Sequence, residues 1–273
     1  MGEATPTAGR PLTAGTVLAS GYVVIEHVRR GVDLDVYELH SEERDCGCVG
    51  KVVHEHAADP LAAERLLAEG RLLLELTHPH LVRAYELRQE PRPLLVLETL
   101  GGATLSWLIA ERSRRLPAAD LCHLALHLCS ALGYLHRRGW LHLDLKASNV
   151  ISSEGRAKLI DLSLARRPGA VPAGWGTREY MAPEQAMGGE ATVATDVWGV
   201  GAVLFAAATG RRPFRALPVG HEQLSGRAAP VGSLRRLPQP VSGLVDRCLE
   251  PDPSARPQLD ELTAGLHAVL GSQ

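Results

Sequence analysis

The sequence predicts an α+β protein in two unequal lobes: a small antiparallel-sheet lobe with one helix, then a larger, mainly helical lobe. Three observations predict it. Short alternating segments with turn residues between them fill the chain up to Leu100. A helical period takes over from Thr104 onward. Among the strands stands one helical segment, opened by Asp59-Pro60.

Residues 1–15 (MGEATPTAGRPLTAG) are rich in Pro, Gly, Ala and Thr and are expected to form a disordered tail. Strand-like alternation runs from Tyr22 to Val28, followed by a turn around Gly31 and a second strand, Val36 to Leu39. The turn-rich Ser41 to Gly47 leads into a third strand, Val49 to Val53. Asp59 is a capping residue with Pro at the first helical position, and the helix reaches about Leu76 with Leu66, Leu73 and Leu76 on one side. Pro91 and Pro93 precede the apolar strand Leu94 to Leu97. Leu121, Leu124, Leu128, Leu132 and Leu135 recur at three and four, which marks a long amphipathic helix ending at Gly139. Val197 to Thr209 is apolar nearly all round and predicts a buried helix. The Gly/Pro/Arg-rich segment from Pro213 to Pro240 yields no helix boundaries.

The 273 residues are 45% hydrophobic and 22% charged, ordinary for a soluble protein, and the net charge of −2 argues against nucleic acid or an anionic membrane as partner. Five cysteines, an odd count with no export signal, suit free thiols in a reducing, cytoplasmic setting. Cys46-Gly47-Cys48 has no second cysteine pair near it, so no zinc site is expected. His123 and His127 lack the Glu of a zinc protease and read as the polar edge of a helix. No uninterrupted apolar run reaches about 18 residues, so no membrane span is expected.

The strongest chemical signal is His142-Leu143-Asp144-Leu145-Lys146-Ala147-Ser148-Asn149, with Asp161-Leu162-Ser163 twelve residues beyond Asn149. Gly176-Thr177-Arg178-Glu179-Tyr180-Met181-Ala182-Pro183-Glu184, Asp196-Val197-Trp198-Gly199 and Arg256-Pro257 follow in order. Together these segments resemble the eukaryotic-type Ser/Thr protein kinases common in bacteria. The resemblance covers the chain from about Gly15 to Leu270. It implies a kinase domain over 16–273, with the small lobe at about 16–100 and the large lobe at about 101–271.

What the resemblance implies for single residues matches what phosphoryl transfer requires: a carboxylate for the attacking hydroxyl and cations for the transferring oxygens. Asp144 is the expected catalytic base or orienting residue, Lys146 reaches the γ-phosphate, and Thr177 contacts both. Asn149 and Asp161 are the expected Mg²⁺ ligands, which makes nucleotide binding metal-dependent. Lys51 is the strand lysine that grips the α- and β-phosphates of ATP, and Glu69 its partner, with Glu64 and Glu75 as competing carboxylates on the same helix. Leu97 is the gatekeeper, Glu98 and Leu100 form the adenine-binding hinge, and Val36 and Ile151 pack on the purine. Glu184 pairs with a buried Arg256, and Asp196 holds the backbone of the catalytic loop.

Two departures carry expectations of their own. In Arg29-Arg30-Gly31-Val32-Asp33-Leu34-Asp35-Val36-Tyr37 only the middle glycine of the family's phosphate-covering loop, Gly31, survives, which predicts weak nucleotide affinity. Leu143 stands where an Arg would clamp a loop phosphate, and no Ser, Thr or Tyr lies between Leu164 and Gly176. Switching by activation-loop phosphorylation is therefore not expected. The implied activity is Ser/Thr phosphorylation of protein substrates in signalling. The alternative is a pseudokinase working as a nucleotide-binding scaffold. A small-molecule kinase would lack the Ala182-Pro183-Glu184 segment.

Overall fold

The computed structural model describes residues 10–112 and 115–271. Residues 1–9 of the expected tail lie outside the described residues. Residues 10–15 are tied to a sheet: the Leu12 amide donates to the Tyr37 hydroxyl at 3.0 Å, and the Gly15 amide to the Val24 carbonyl at 2.8 Å. The chain divides into two compact units, residues 1–77 with 82–100, and residues 78–81 with 101–273.

The first unit is a six-stranded antiparallel sheet with one helix. Its elements are β1 (Val17–Ala19), β2 (Tyr22–Arg30), β3 (Leu34–Ser41), β4 (Cys46–Val53), α1 (Ala62–Glu75), β5 (Ala84–Arg88) and β6 (Leu94–Glu98), and the strand order is β1-β2-β3-β4-β6-β5. Strand alternation divides the side chains between two faces. Tyr22, Val24, Tyr37, Leu39, Cys48, Val52, Leu94 and Val96 form one buried cluster. Val36, Lys51 and Leu95 lie in one cross-strand row through the register Val36↔Lys51↔Leu95. Gly50, beside Lys51, leaves room for Leu39, whose Cδ1 would lie 2.5 Å from a Cβ there. The helix starts at Ala62 rather than at Pro60, since the Asp59 carboxylate accepts the Leu61 amide at 2.9 Å and closes a turn ahead of it. Strand β5 gave no signal in the sequence: Ala84-Tyr85-Glu86-Leu87-Arg88 is polar and largely half-buried.

The second unit contains β7 (Ala103–Thr104), α2 (Leu105–Arg112), α3 (Ala118–Arg137), β8 (Val150–Ser153), β9 (Arg156–Leu159), β10 (Gly169–Ala170), α4 (Pro183–Met187), β11 (Glu190–Ala191), α5 (Val193–Thr209), α6 (Val231–Leu234), α7 (Gln239–Cys248) and α8 (Leu259–Gly271). By length and composition α3 could cross a membrane, a reading that a search for uninterrupted apolar runs misses. Here its leucine face, from Leu121 to Leu135, is buried, and it packs against α5, α8 and β9. Helix α5 is buried almost throughout, and Gly199 and Gly201 continue it rather than break it. They admit close neighbours, for a Cβ at Gly199 would meet Leu145 Cβ at 2.8 Å and one at Gly201 would meet Cys248 Cβ at 2.6 Å.

A buried ion pair fastens the end of this unit. Arg256 donates to both oxygens of Glu184 at 2.7 and 2.9 Å, and three carbonyls, of Ala194, Glu250 and Pro251, take its remaining donors. Thr195 adds a hydrogen bond to Glu184 at 2.9 Å. Full satisfaction is what makes a charge pair tolerable at this depth.

Two histidines stack beside β9, with a third tilted against them. The rings of His80 and His127 lie 4.1 Å apart, and His78 sits 5.6 Å from His80. His127 Nδ1 accepts the Ala157 amide at 3.2 Å, His80 Nδ1 meets the Ala157 carbonyl at 2.9 Å, and His78 Nδ1 accepts the His80 amide at 3.2 Å. Protonating His127 or His78 at Nδ1 would set two donors face to face. Burial first, then neighbouring His80, His123 and Arg156, push His127 down to about 4. Burial also lowers His78 and His80, with Arg137, Arg138, Arg156 and Lys158 as the nearby cations. The unfolded chain therefore binds protons first, near the ordinary histidine value of about 6.5. Stability is expected to be complete above that pH and to fall as pH drops from about 6.5 towards 4. Thermal melts between pH 7.5 and 4.5 check this, and His127→Gln should flatten the acid limb relative to wild type. An equal slope in both proteins would count against it.

Candidate functional site

Each unit carries part of the expected constellation. In the first, Lys51 Nζ donates to Glu69 Oε1 at 2.7 Å, with the Glu69 side chain fully buried. The helical period decides among the three carboxylates: Glu69 lies on the buried face of α1, whereas Glu64 and Glu75 are exposed. Leu97 is buried opposite Val49. The Glu98 amide donates to the Arg83 carbonyl at 2.9 Å, and its carboxylate accepts the Arg83 amide at 2.9 Å, which fixes the strand end just before half-buried Leu100. Val36 is half-buried in its row beside Lys51.

The hairpin around Gly31 holds its shape with side chains. Arg30 forks onto Asp35 at 2.9 and 2.7 Å, and His27 meets the same carboxylate at 3.0 Å. Burial alone would raise Asp35, but these hydrogen bonds and charges hold it below the usual carboxylate range. The Gly31 amide closes the turn on the Leu34 carbonyl at 2.7 Å. At the tip, the Asp33 carboxylate accepts the amides of Ala58 and Asp59 at 2.9 and 3.0 Å, tying the hairpin to the segment that opens α1. Arg29, Val32 and Leu34 all keep negative φ, so the loop needs no further glycine for its conformation.

In the second unit the catalytic-loop residues converge on Asp144, which is buried. Lys146 Nζ donates to Asp144 Oδ2 at 2.5 Å and to Thr177 Oγ1 at 2.9 Å, while Thr177 Oγ1 donates to Asp144 Oδ1 at 2.6 Å. The Asn149 amide nitrogen donates to the Asp144 carbonyl at 3.0 Å, which leaves its oxygen as the acceptor end. The Ile160 amide donates to the Asn149 carbonyl at 3.1 Å, linking the segment before Asp161 to this loop. Asp161 Oδ1 accepts the Ser163 amide at 2.9 Å, a turn that Ser enters without positive φ. Ile151 lies on β8, paired with Thr104 and Lys158. An amide oxygen and a carboxylate are hard donors, so Asn149 and Asp161 suit Mg²⁺.

Two side chains support this loop, Asp196, expected from the sequence, and Gln185, which was not. Leu143 has φ 64°, the left-handed region, where a bulky side chain is strained. Asp196 holds it there: its carboxylate accepts the amides of His142 and Leu143, each at 2.9 Å, and bonds His136 Nε2 at 2.8 Å. Gln185 then donates to the carbonyls of Leu143 and Trp175 at 2.8 and 2.7 Å, joining the catalytic loop to the segment that carries Thr177. The Leu143 side chain is buried with Leu141, Val171 and Ala191, and Trp175 packs against them. Where a phosphate clamp was expected to be missing, an apolar cluster stands in its place. Position gave Asp196 a role in advance, but Gln185 carried no signal beyond following Pro183 by two.

The family model for the protein kinase domain matches residues 22–266. Serine/threonine-protein kinase PkaA of Streptomyces coelicolor is 32% identical over 277 residues, covering 92% of this chain and 50% of that protein. Serine/threonine-protein kinase PknG of Mycolicibacterium smegmatis is 31% identical over 270 residues, covering 95% of this chain and 34% of that protein. CBL-interacting protein kinase 4 of Oryza sativa subsp. japonica is 34% identical over 215 residues, covering 74% of this chain and 47% of that protein. The chain spans half or less of the length of these relatives.

Packing of Leu143 yields a direct test. Leu143→Ala should lower stability by about 2–5 kcal/mol through loss of buried apolar contact. Leu143→Arg should do no better, since the cluster offers a guanidinium no partner. Urea unfolding measures both. Phosphatase treatment of the wild type should meanwhile leave any phosphotransfer rate unchanged. A large fall, with a phosphosite mapped between Asp161 and Glu184, would defeat the view that apolar packing holds this segment.

Proposed function

The chain belongs to the protein kinase family, and we propose that it is an ATP-dependent kinase of Ser or Thr hydroxyls on protein substrates, working in the cytoplasm. The observation that carries this reading is the closed Asp144–Lys146–Thr177 triad. A substrate hydroxyl would give its proton to the Asp144 carboxylate as its oxygen bonds the γ-phosphorus, and the bond from that phosphorus to the β-phosphate oxygen breaks to release ADP. Lys146, beside the same carboxylate, would offset charge on the transferring oxygens. Lys51, held by Glu69, would bind the α- and β-phosphates. Mg²⁺, held by Asn149 and Asp161 when bound, supplies further charge neutralisation on the phosphate oxygens. Thr177 would orient the carboxylate, and Leu97, Glu98, Leu100, Val36 and Ile151 would receive the adenine.

The scaffold alternative has no specific observation in its favour. Lys51–Glu69 is formed, Asp144 is oriented, and both expected metal ligands are present.

Radiolabelled ATP with casein or myelin basic protein tests the activity. Asp144→Asn keeps the side-chain shape and should reduce phosphate incorporation by about 10²- to 10⁴-fold, the usual contribution of a positioned base. Equal incorporation by wild type and variant would overturn the proposal.

The hairpin predicts weak nucleotide affinity. Losing one backbone hydrogen bond to a charged phosphate costs about 1.5–3 kcal/mol, roughly ten- to a hundredfold. Calorimetric titration with Mg·ATP should show tighter binding for Arg29→Gly/Leu34→Gly than for wild type. Weaker binding by Arg29→Ala would instead show that this guanidinium holds a phosphate, and changes under about threefold throughout would clear the loop of blame.

A further inference from the structure

The second unit contains a cavity of about 490 Å³ whose wall includes Ala147, Tyr180, Thr209, Arg115, Arg211 and Arg212. Ala147 directly follows Lys146, and Tyr180 lies three residues beyond Thr177, so two members of the Asp144 triad adjoin this wall along the chain. Among the described residues, every charged side chain lining the cavity is an arginine, and no Asp or Glu contributes to it. The chain as a whole carries −2, so this sign is local and does not reflect general basicity.

The three arginines are not equivalent. Arg212 is engaged by the carboxylate of Glu179. Arg115 is exposed and gives one donor to the Leu234 carbonyl at 3.3 Å, which satisfies a hydrogen bond but leaves the charge uncompensated. Arg211 is exposed, and its guanidinium takes no ion-pair or hydrogen-bond partner among the described residues. Exposed cations beside a mixed polar and apolar hollow fit a carboxylate-bearing peptide, since a guanidinium fork matches a carboxylate geometrically. A basic peptide would meet like charge, with the Glu179 carboxylate already engaged by Arg212.

Resting on the kinase reading above, we propose that this cavity selects acidic substrates: protein segments with Glu or Asp close to the phosphorylated Ser or Thr. Arg211 and Arg115 are the specificity-determining residues. Ala147 and Tyr180 supply the apolar floor on which the peptide lies, and neither arginine takes part in phosphoryl transfer. Because both cations are exposed, the preference should weaken as salt rises.

The test uses three fluorescein-labelled peptides that share one central Thr and differ only in the flanking residues, Glu, Gln or Lys. Binding is read by anisotropy and phosphate incorporation with Mg·ATP, on wild type, Arg211→Glu and Arg115→Ala/Arg211→Ala. Wild type should bind the Glu peptide at least about tenfold more tightly than the Gln peptide in low salt. Both variants should lose most of that difference, Arg211→Glu should gain affinity for the Lys peptide, and the Gln peptide should bind all three proteins alike. Melting curves check that the variants are folded, and Arg211→Glu removes no hydrogen bond of the fold. Equal affinity for the three peptides, or a Glu preference unchanged in both variants, overturns the inference whatever the activity. Arginine-dependent binding of the Glu peptide without phosphate incorporation supports the inference and counts against the proposed activity.

Discussion

The arrangement around Asp144 depends on one buried carboxylate that does no chemistry, that of Asp196. Its side chain is 1% exposed, a position in which an anion persists only if donors surround it. Two consecutive backbone amides and the His136 ring provide them. Accepting both amides turns the chain so that Leu143 takes a left-handed conformation and the next side chain, Asp144, meets Lys146 and Thr177. Placement of Asp196 in the first turn of α5 adds the favourable field of a helix N-terminus. Strain at one residue is thus balanced by three hydrogen bonds to a neighbouring helix.

That same helix end serves other segments. Thr195 bonds Glu184, Trp198 Nε1 donates to the Tyr180 carbonyl at 3.1 Å, and Gly199 admits Leu145 at close range. Arg256, locked onto Glu184, lies 4.9 Å over the Trp198 ring. Successive residues of one turn therefore fix the catalytic loop, the segment after Thr177 and the ion pair that anchors α4. A helix that is buried nearly all round can do this because its partners approach from several directions. Its glycines serve packing, whereas in the first unit the hairpin has shed glycines and is held by Asp33, Asp35 and Arg30.

Much of the candidate site was legible because its residues fall in segments that resemble protein kinases. The resemblance to protein kinases singled out Lys51, Asp144, Lys146, Asn149 and Asp161, and each is a residue type that can bind phosphate, orient a hydroxyl or hold a hard cation. Glu69 was preferred to Glu64 and Glu75 from the sequence, and of the three the structure buries only Glu69. Less of the surrounding support was legible. Gln185 acts through two carbonyls that are 42 and 10 residues away, and no local pattern records such a bond. The histidine stack joins residues from two distant segments, and the helix holding His127 read only as an amphipathic edge.

The sequence by itself determined the two-part architecture and the leucine face of α3, and its resemblance to protein kinases pointed to the groups around Asp144. The first two follow from side-chain period and the third from short motifs, all of which are local properties. Tertiary structure alone decided that Leu143 would sit in the left-handed region, that an apolar cluster would occupy the place of a phosphate clamp, and that three arginines would border one cavity. The reason is physical: strain, burial and shared charge are properties of groups brought together by the fold. Arg115 and Arg211 lie 96 positions apart in the chain, and only the packing of their segments gives them a common wall.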